Sequence, residues 1–213
     1  MGQSVEKDCS KNNSSLETTG LDCDAKNLIM DSIKALRKDR LDCSMDKIYS
    51  AFEEFLQTGQ YNGLGGHFTA SAVILDERRE KMVLTLHAKL GRWLQLGGHV
   101  ETGESLPEAA YREGIEESGM KVLDKCGSRP FDLDFHMIPE RKGEAEHYHF
   151  DVTYLFFASR SSSLEISDES LDLKWFSLSE VLKVSSETNL HRIVHQLRRF
   201  SDLDNCEFAL KLA

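Results

Sequence analysis

Gly98 to Met120 reads GHVETGESLPEAAYREGIEESGM, and the second half of this stretch decides the fold. Glu113, Glu116 and Glu117 are spaced by three and then by one. On a helix at 100° per residue these side chains fall within an arc of about 100°. Like charges so close repel, and no run of lysines follows at the helical offset to neutralise them. A local arrangement that costs stability points to chemistry. Oxygen ligands gathered on one helical face suit a hard divalent cation such as Mg²⁺ or Mn²⁺.

The helix is well bounded. Ser105 and Glu108 fit a capping box. Pro107 occupies the first turn, where its missing N–H costs nothing, and Gly119 supplies the stop. A helix is therefore expected over 106–118. Ala109, Ala110, Gly114 and Ile115 form a mostly small face that lets it lie close against a sheet or loop. Arg112, four residues from both Glu108 and Glu116, is placed to pair with either. It also reaches back toward Glu104, which would lock the preceding loop onto the helix.

Outward from the helix, residues 67–75 (HFTASAVIL) and 81–87 (KMVLTLH) read as strands joined by a charged turn. The stretch through Gly91, Gly97 and Gly98 reads as a loop. Further strands are expected at 131–137, 149–158 and 172–176, with helices at 179–182 and 189–200. Strands interleaved with helices predict an α/β domain around a mixed sheet. Upstream, 27–38 has helical spacing. Ser44 is placed to cap a second helix, with Met45, Ile48, Tyr49, Phe52, Phe55 and Leu56 on one stripe and Gly59 as its stop. This helical extension, 26–66, reads as a packing element that also offers a homodimer contact. Residues 1–25 are polar without a periodic apolar face and are expected to be disordered.

A chain of 213 residues, 40% hydrophobic, accommodates one domain with an extension. The net charge of −10 argues against binding a nucleic-acid backbone. It leaves room for a small anionic substrate if a cation masks the repulsion. Cys9, Cys23, Cys43, Cys126 and Cys206 are scattered, without a Cys-x-x-Cys pair. That fits reduced thiols in a cytoplasmic protein better than disulfides or a zinc site. From the polar N-terminal stretch, no signal peptide or membrane span is expected. Glu6 stands where N-myristoylation wants Ser or Thr.

The string Gly98-x5-Glu104-x7-Arg112-Glu113-x-x-Glu116-Glu117-x-Gly119-Met120 resembles the Nudix box. That box reads Gly-x5-Glu-x7-Arg-Glu-U-x-Glu-Glu-x-Gly-U, with U a bulky aliphatic residue, and every fixed position stands at its spacing. Two positions depart. Gly114 stands at the first U, and Leu96 stands where many relatives have proline. A helical glycine costs about 1 kcal/mol against alanine, so Gly114 bears on packing more than on chemistry. The resemblance runs from about His67 to Phe176. HFTASA at 67–72, GRWLQ at 91–95, HYHFD at 147–151, and WFS at 175–177 followed by Glu180 are similar to one poorly characterised branch of the family.

The resemblance implies an α/β/α sandwich over 67–205 that hydrolyses a diphosphate linked to another group, often a nucleoside. It implies Glu113, Glu116, Glu117 and the Gly98 carbonyl as ligands of Mg²⁺ or Mn²⁺, and Glu116 or Glu113 as general base. Glu104 and Arg112 would hold the loop that presents Gly98. In many relatives an acidic residue outside the box completes the site, and Glu144 or Glu146 is the candidate. These belong to a second polar cluster with His147, His149 and Asp151. Trp93 either stacks on a base or other flat group or packs into the core. His147 and His149 share a strand face, as substrate contacts or a hydrogen-bonded pair; a softer metal would need a third ligand. His87 and His99 flank the loop in structural or phosphate-contacting positions.

Two other functions compete. A non-catalytic ligand-binding or regulatory module usually loses box glutamates, and this chain keeps them. An isomerase of the isopentenyl diphosphate type needs an active-site cysteine, and Cys126 lies in a polar stretch outside the metal loop. The substrate is not legible. The Ser-Gln-Pro-Trp string of NADH-cleaving members and the coenzyme A pattern are absent, and neither Pro130 nor Pro139 is placed for the ADP-ribose mark.

Overall fold

The computed structural model describes residues 21–39, 45–121, 123–125, 127, 129–141 and 143–199. Its helices are α1 (Cys23–Asp39), α2 (Asp46–Thr58), α3 (Leu106–Ser118), α4 (Leu178–Val184) and α5 (Thr188–Arg199). Its strands are β1 (Gln60–Tyr61), β2 (Leu64–Asp76), β3 (Lys81–His87), β4 (Trp93–Leu94), β5 (Leu96–His99), β6 (Asp124–Lys125), β7 (Asp132–Ile138), β8 (His147–Ala158) and β9 (Ser170–Ser177). The strands form one open sheet with a spine β4-β3-β2-β8-β6; β1 and β5 pair with β2, β7 with β8, and β9 with β3. The α/β reading with a mixed sheet holds. Chain contacts divide it into two units, residues 1–67 with 135–149, and residues 68–134 with 150–213.

In the first unit, α1 and α2 bury Ile29 and Ile33, and Ile48, Tyr49, Phe52, Phe55 and Leu56. The apolar stripe of α2 is thus used inside the chain. Arg37 clamps Glu53 with two hydrogen bonds of 2.6 and 3.1 Å. Gly59 ends α2 in the left-handed region at φ 74°. A hairpin then pairs Tyr61 with Leu64 across Asn62 and Gly63, both at positive φ, the turn an Asn-Gly pair favours. Ser44, the expected cap of α2, lies outside the described residues. So do Cys9, Cys43, Cys126 and Cys206 and most of the tail over 1–25, although Cys23, Asp24 and Ala25 form the first turn of α1. Cys23 is exposed, and its sulfur accepts a hydrogen bond from Asn27 Nδ2 at 3.6 Å.

In the second unit, β2 is buried on both faces, which is why its sequence reads as a nearly continuous apolar run. Alternate residues serve alternate layers. Val73 and Leu75 join Phe131, Leu155, Val181, Leu190, Ile193, Val194 and Leu197 beneath α4 and α5. Ala72 and Ile74 face α3. α3 runs over the expected residues, with the capping box at Ser105 and Glu108 present and Gly119 at φ 69°. The stretch expected as loop around Gly97 and Gly98 instead holds β5, antiparallel to β2 in the register Ala70↔Gly98 and Ser71↔Gly97.

Gly114 is explained by this packing. A Cβ there would meet Leu123 Cδ1 at 3.0 Å and Ala72 Cβ at 3.1 Å, so α3 packs so tightly on β2 that any side chain would make Leu123 or Ala72 give way. The bulky residue that the box pattern favours would have to wedge the helix off the sheet. Gly114→Leu is expected to destabilise by roughly 1–3 kcal/mol, the usual cost of overpacking. A lowered urea midpoint checks this; an unchanged one would show that the helix has room to move.

Candidate active site

The site forms where β5 passes beneath the middle of α3. β5 carries no Cβ at two successive positions, and both absences are used. A Cβ on Gly97 would lie 2.7 Å from the Ala70 carbonyl and 2.8 Å from Ser71 Cα. A Cβ on Gly98 would lie 2.5 Å from a carboxylate oxygen of Glu113. Gly97 therefore lets β5 lie close on β2, and Gly98 lets Glu113 come down onto the backbone of the strand. Glu117 accepts a hydrogen bond from the Gly97 N–H at 3.1 Å. Glu116 projects outward, with its side chain 59% exposed against 15% for Glu113.

Arg112 ties the parts together. Its Nε and Nη2 donate to the two oxygens of Glu104 at 2.9 Å each. Nη2 also donates to the His99 carbonyl at 2.9 Å, and Nη1 to Glu113 at 2.8 Å and Glu116 at 3.3 Å. A planar fork of donors suits this division of labour. Of the partners expected for Arg112, Glu104 dominates and Glu116 is the lesser contact, while Glu108 accepts from Ser105 N and Oγ instead. Glu104 in turn accepts from the Glu101 N–H at 3.1 Å. Loop, strand end and helix are thereby fastened at one guanidinium.

The electrostatics separate these carboxylates. Hydrogen bonds from Arg112 hold Glu104 below the ordinary glutamate range. Burial raises Glu113, with Arg112 opposing and Glu116 and Glu169 reinforcing the rise. Burial pushes Glu117 up to about 7; the Gly97 N–H opposes, and Glu113, Glu169 and Glu116 add to it. Crowded half-buried carboxylates that resist ionisation form an oxygen donor set suited to a hard divalent cation, which would offset both burial and repulsion.

A pH dependence follows. Glu117 keeps its proton up to about 7 in the folded chain, against 4.5 for the ordinary group. Between those values the folded state binds the extra proton, so stability falls as pH rises through this window. The cation-free chain is expected to lose about 3 kcal/mol across it from this group. Melting of EDTA-treated protein at about pH 5 and about pH 8 checks the sign, and Glu117→Gln should flatten the slope. Equal slopes in the two proteins would remove Glu117 as the cause.

The other expected site residues are placed as follows. Trp93 is half-buried, edge-on to Phe176 at 4.7 Å, with Lys174 Nζ 5.7 Å from its ring. His99 is exposed, and its carbonyl is engaged by Arg112. Asp151 is buried and accepts from Thr69 and Ser71 hydroxyls at 2.9 Å each, a structural role within the sheet. Glu144 and Glu146 are exposed in the first unit, ahead of His147 and His149 on β8. Sequence reasoning missed Glu169, whose charge reaches both Glu113 and Glu117. It lies just before β9, far along the chain from the box, and no spacing rule marks it. Among the described residues no helix is long and apolar enough to cross a membrane.

The NUDIX domain profile matches residues 66–198. Over 103 residues the chain is 34% identical to the m7GpppN-mRNA hydrolase NUDT17 of Danio rerio, covering 45% of this chain and 34% of that protein. Over 105 residues it is 30% identical to the oxidized purine nucleoside triphosphate hydrolase of Danio rerio, covering 41% of this chain and 62% of that protein. The matched segment thus spans less than two thirds of each relative. Among solved structures, the MutT protein of Methanosarcina mazei superposes with a TM-score of 0.51 at 20% identity, over 67% of this chain and 99% of that one. A C. elegans Ap4A hydrolase superposes at 0.50 and 20%, over 62% and 96%. These two likenesses concern the fold.

Proposed function

The chain belongs to the Nudix family, and from that premise we propose that it is a divalent-cation-dependent hydrolase of a diphosphate linkage. The substrate is a nucleoside diphosphate derivative or a similar small molecule. The observation that carries this reading is the descent of Glu113 onto Gly98 and of Glu117 onto the Gly97 N–H of β5, with Glu116 beside them and Arg112 fastening Glu113 and Glu116 to the loop. Glu113, Glu116, Glu117 and the Gly98 carbonyl would hold Mg²⁺ or Mn²⁺. The bound cation supplies charge for the phosphate oxygens and acidifies water. We assign the acid outside the box to Glu169 in place of Glu146, because its field reaches Glu113 and Glu117.

The chain's own residues do the rest. Water adds across the P–O–P bridge: its oxygen bonds to one phosphorus, the bridging oxygen leaves with the other phosphate, and one water proton must be taken up. Glu116 is the carboxylate for that proton, being exposed and held by Arg112 only at 3.3 Å. Arg112 and Glu104 are positioning residues; Arg112 directs Glu113 and fixes the His99 carbonyl beside Gly98. Trp93, packed on Phe176, offers its remaining surface to a flat substituent. The relatives named above act on cap structures and oxidized purine nucleotides, which makes nucleotides the first substrates to try. A screen of dinucleotides, nucleotide sugars, nucleoside triphosphates and non-nucleotide diphosphates with Mg²⁺ and Mn²⁺ tests the reading. Cleavage in H₂¹⁸O shows which phosphorus is attacked, and silence across the screen would remove the proposal.

A further inference from the structure

The histidines of the first unit take no part in the chemistry assigned to α3. The two-residue alternation of β8 puts His147 and His149 on one face and Tyr148 on the other. β7 divides Phe135 from His136 in the same way. The aromatic side is closed, because Tyr61, Phe135 and Tyr148 pack with ring centroids 5.2, 5.3 and 5.8 Å apart. A one-residue slip would exchange the faces, so this packing holds the histidines together on the opposite side.

His67 of β2 supplies the third ring. Its centroid lies 4.5 Å from that of His149 and 5.0 Å from that of His147, and those two are 5.2 Å apart. His136 lies 5.3 Å from His149. The rings are tilted toward one another, not stacked, so nitrogens can converge. Ligand nitrogens of His67 and His149 already lie within 4.8 Å. Nitrogens on one tetrahedral Zn²⁺ sit about 3.4 Å apart at the usual bond length, a difference that ring rotation closes.

His147 is already arranged as a ligand. Its Nδ1 lies 2.9 Å from the Ala145 carbonyl, which places the N–H on that nitrogen. The lone pair is then on Nε2, which is buried without a hydrogen-bond partner among the described residues and lies 3.7 Å from Glu144. A histidine that ligates a metal typically donates its other N–H in this way, and a buried acceptor left unsatisfied is costly.

We propose that His67, His147 and His149 form a second cation site, for a borderline-soft divalent metal of the zinc type. Exposed His136 and Glu144 stand at its margin. Imidazole favours such metals, whereas the carboxylates of α3 favour Mg²⁺ and Mn²⁺, so the chain sorts two cation classes between two donor sets.

The test titrates Zn²⁺ into the full chain at saturating Mg²⁺, which keeps the carboxylates occupied. Equilibrium dialysis should find one Zn²⁺ per chain. Long-range ¹H–¹⁵N spectra of the wild type should show His67, His147 and His149 locked in single tautomers, with His191 and His195 unmoved. His67→Gln and His149→Gln should each weaken Zn²⁺ binding roughly tenfold or more, with circular dichroism confirming the fold, while Glu117→Gln leaves it unchanged. Absence of retained Zn²⁺, or spectral changes confined to other histidines, would overturn the site. So would binding that survives the double His67→Gln, His149→Gln substitution or vanishes with Glu117→Gln.

Discussion

Glu117→Gln is expected to lower kcat roughly 10²–10³-fold, the scale on which removal of one charge-stabilising group acts, with KM moving far less. The substitution is nearly isosteric, and the amide oxygen still accepts from the Gly97 N–H that Glu117 engages at 3.1 Å. What it removes is the charge. The same change should leave the cation-free protein equally stable or more stable near neutral pH, because Glu117 resists ionisation where it sits. Loss of rate with retained stability separates a chemical role from a packing role. A variant that turns over at the wild-type rate removes Glu117 from the site; one that unfolds makes its carboxylate structural.

Arg112→Ala is expected to cost roughly 2–3 kcal/mol of stability as well as most of the activity. Its loss leaves Glu104 and Glu113, each with a side chain 15% exposed, without their cation, and unpaired half-buried charge is destabilising. It also frees the His99 carbonyl and unfastens the loop. Arg112→Lys keeps the charge, but a single ammonium cannot span Glu104, the His99 carbonyl and Glu113 together. It should therefore lie closer to the alanine variant than to wild type. Urea unfolding and rate measurements on the pair decide this. Full recovery by lysine would reduce Arg112 to a point charge, and unchanged stability in the alanine variant would deny that it fastens the loop.

The helix was legible because its signals are local. Ser105, Glu108, Pro107 and Gly119 each act within one turn, and the glutamate spacing needs only the helical period. β5 was illegible for the opposite reason. Leu96-Gly97-Gly98-His99 lacks the β-branched and aromatic residues that mark strands, and its glycines serve close approach to Ser71 and Glu113, partners remote in sequence. Gly114 likewise looked like a defect until Ala72 and Leu123 were placed beside it. Arg112 had several partners in reach by spacing, and only the fold of the loop selects Glu104. Glu169 and His67 were missed because long-range sheet pairing, which no window of sequence contains, brings each to its neighbours. The hairpin at Asn62-Gly63 carried a readable turn signal but its strands are too short to show alternation.

The central claim is that the α3 carboxylates cleave a diphosphate only with a divalent cation. The most direct measurement is product release from the dinucleotide and nucleoside triphosphate panel by EDTA-stripped protein, before and after Mg²⁺ is restored. The expected result is no release from stripped protein, and release from at least one substrate once Mg²⁺ returns, with none from a Glu113→Gln, Glu116→Gln, Glu117→Gln triple variant. Release that persists in EDTA, or that the triple variant matches, would contradict it.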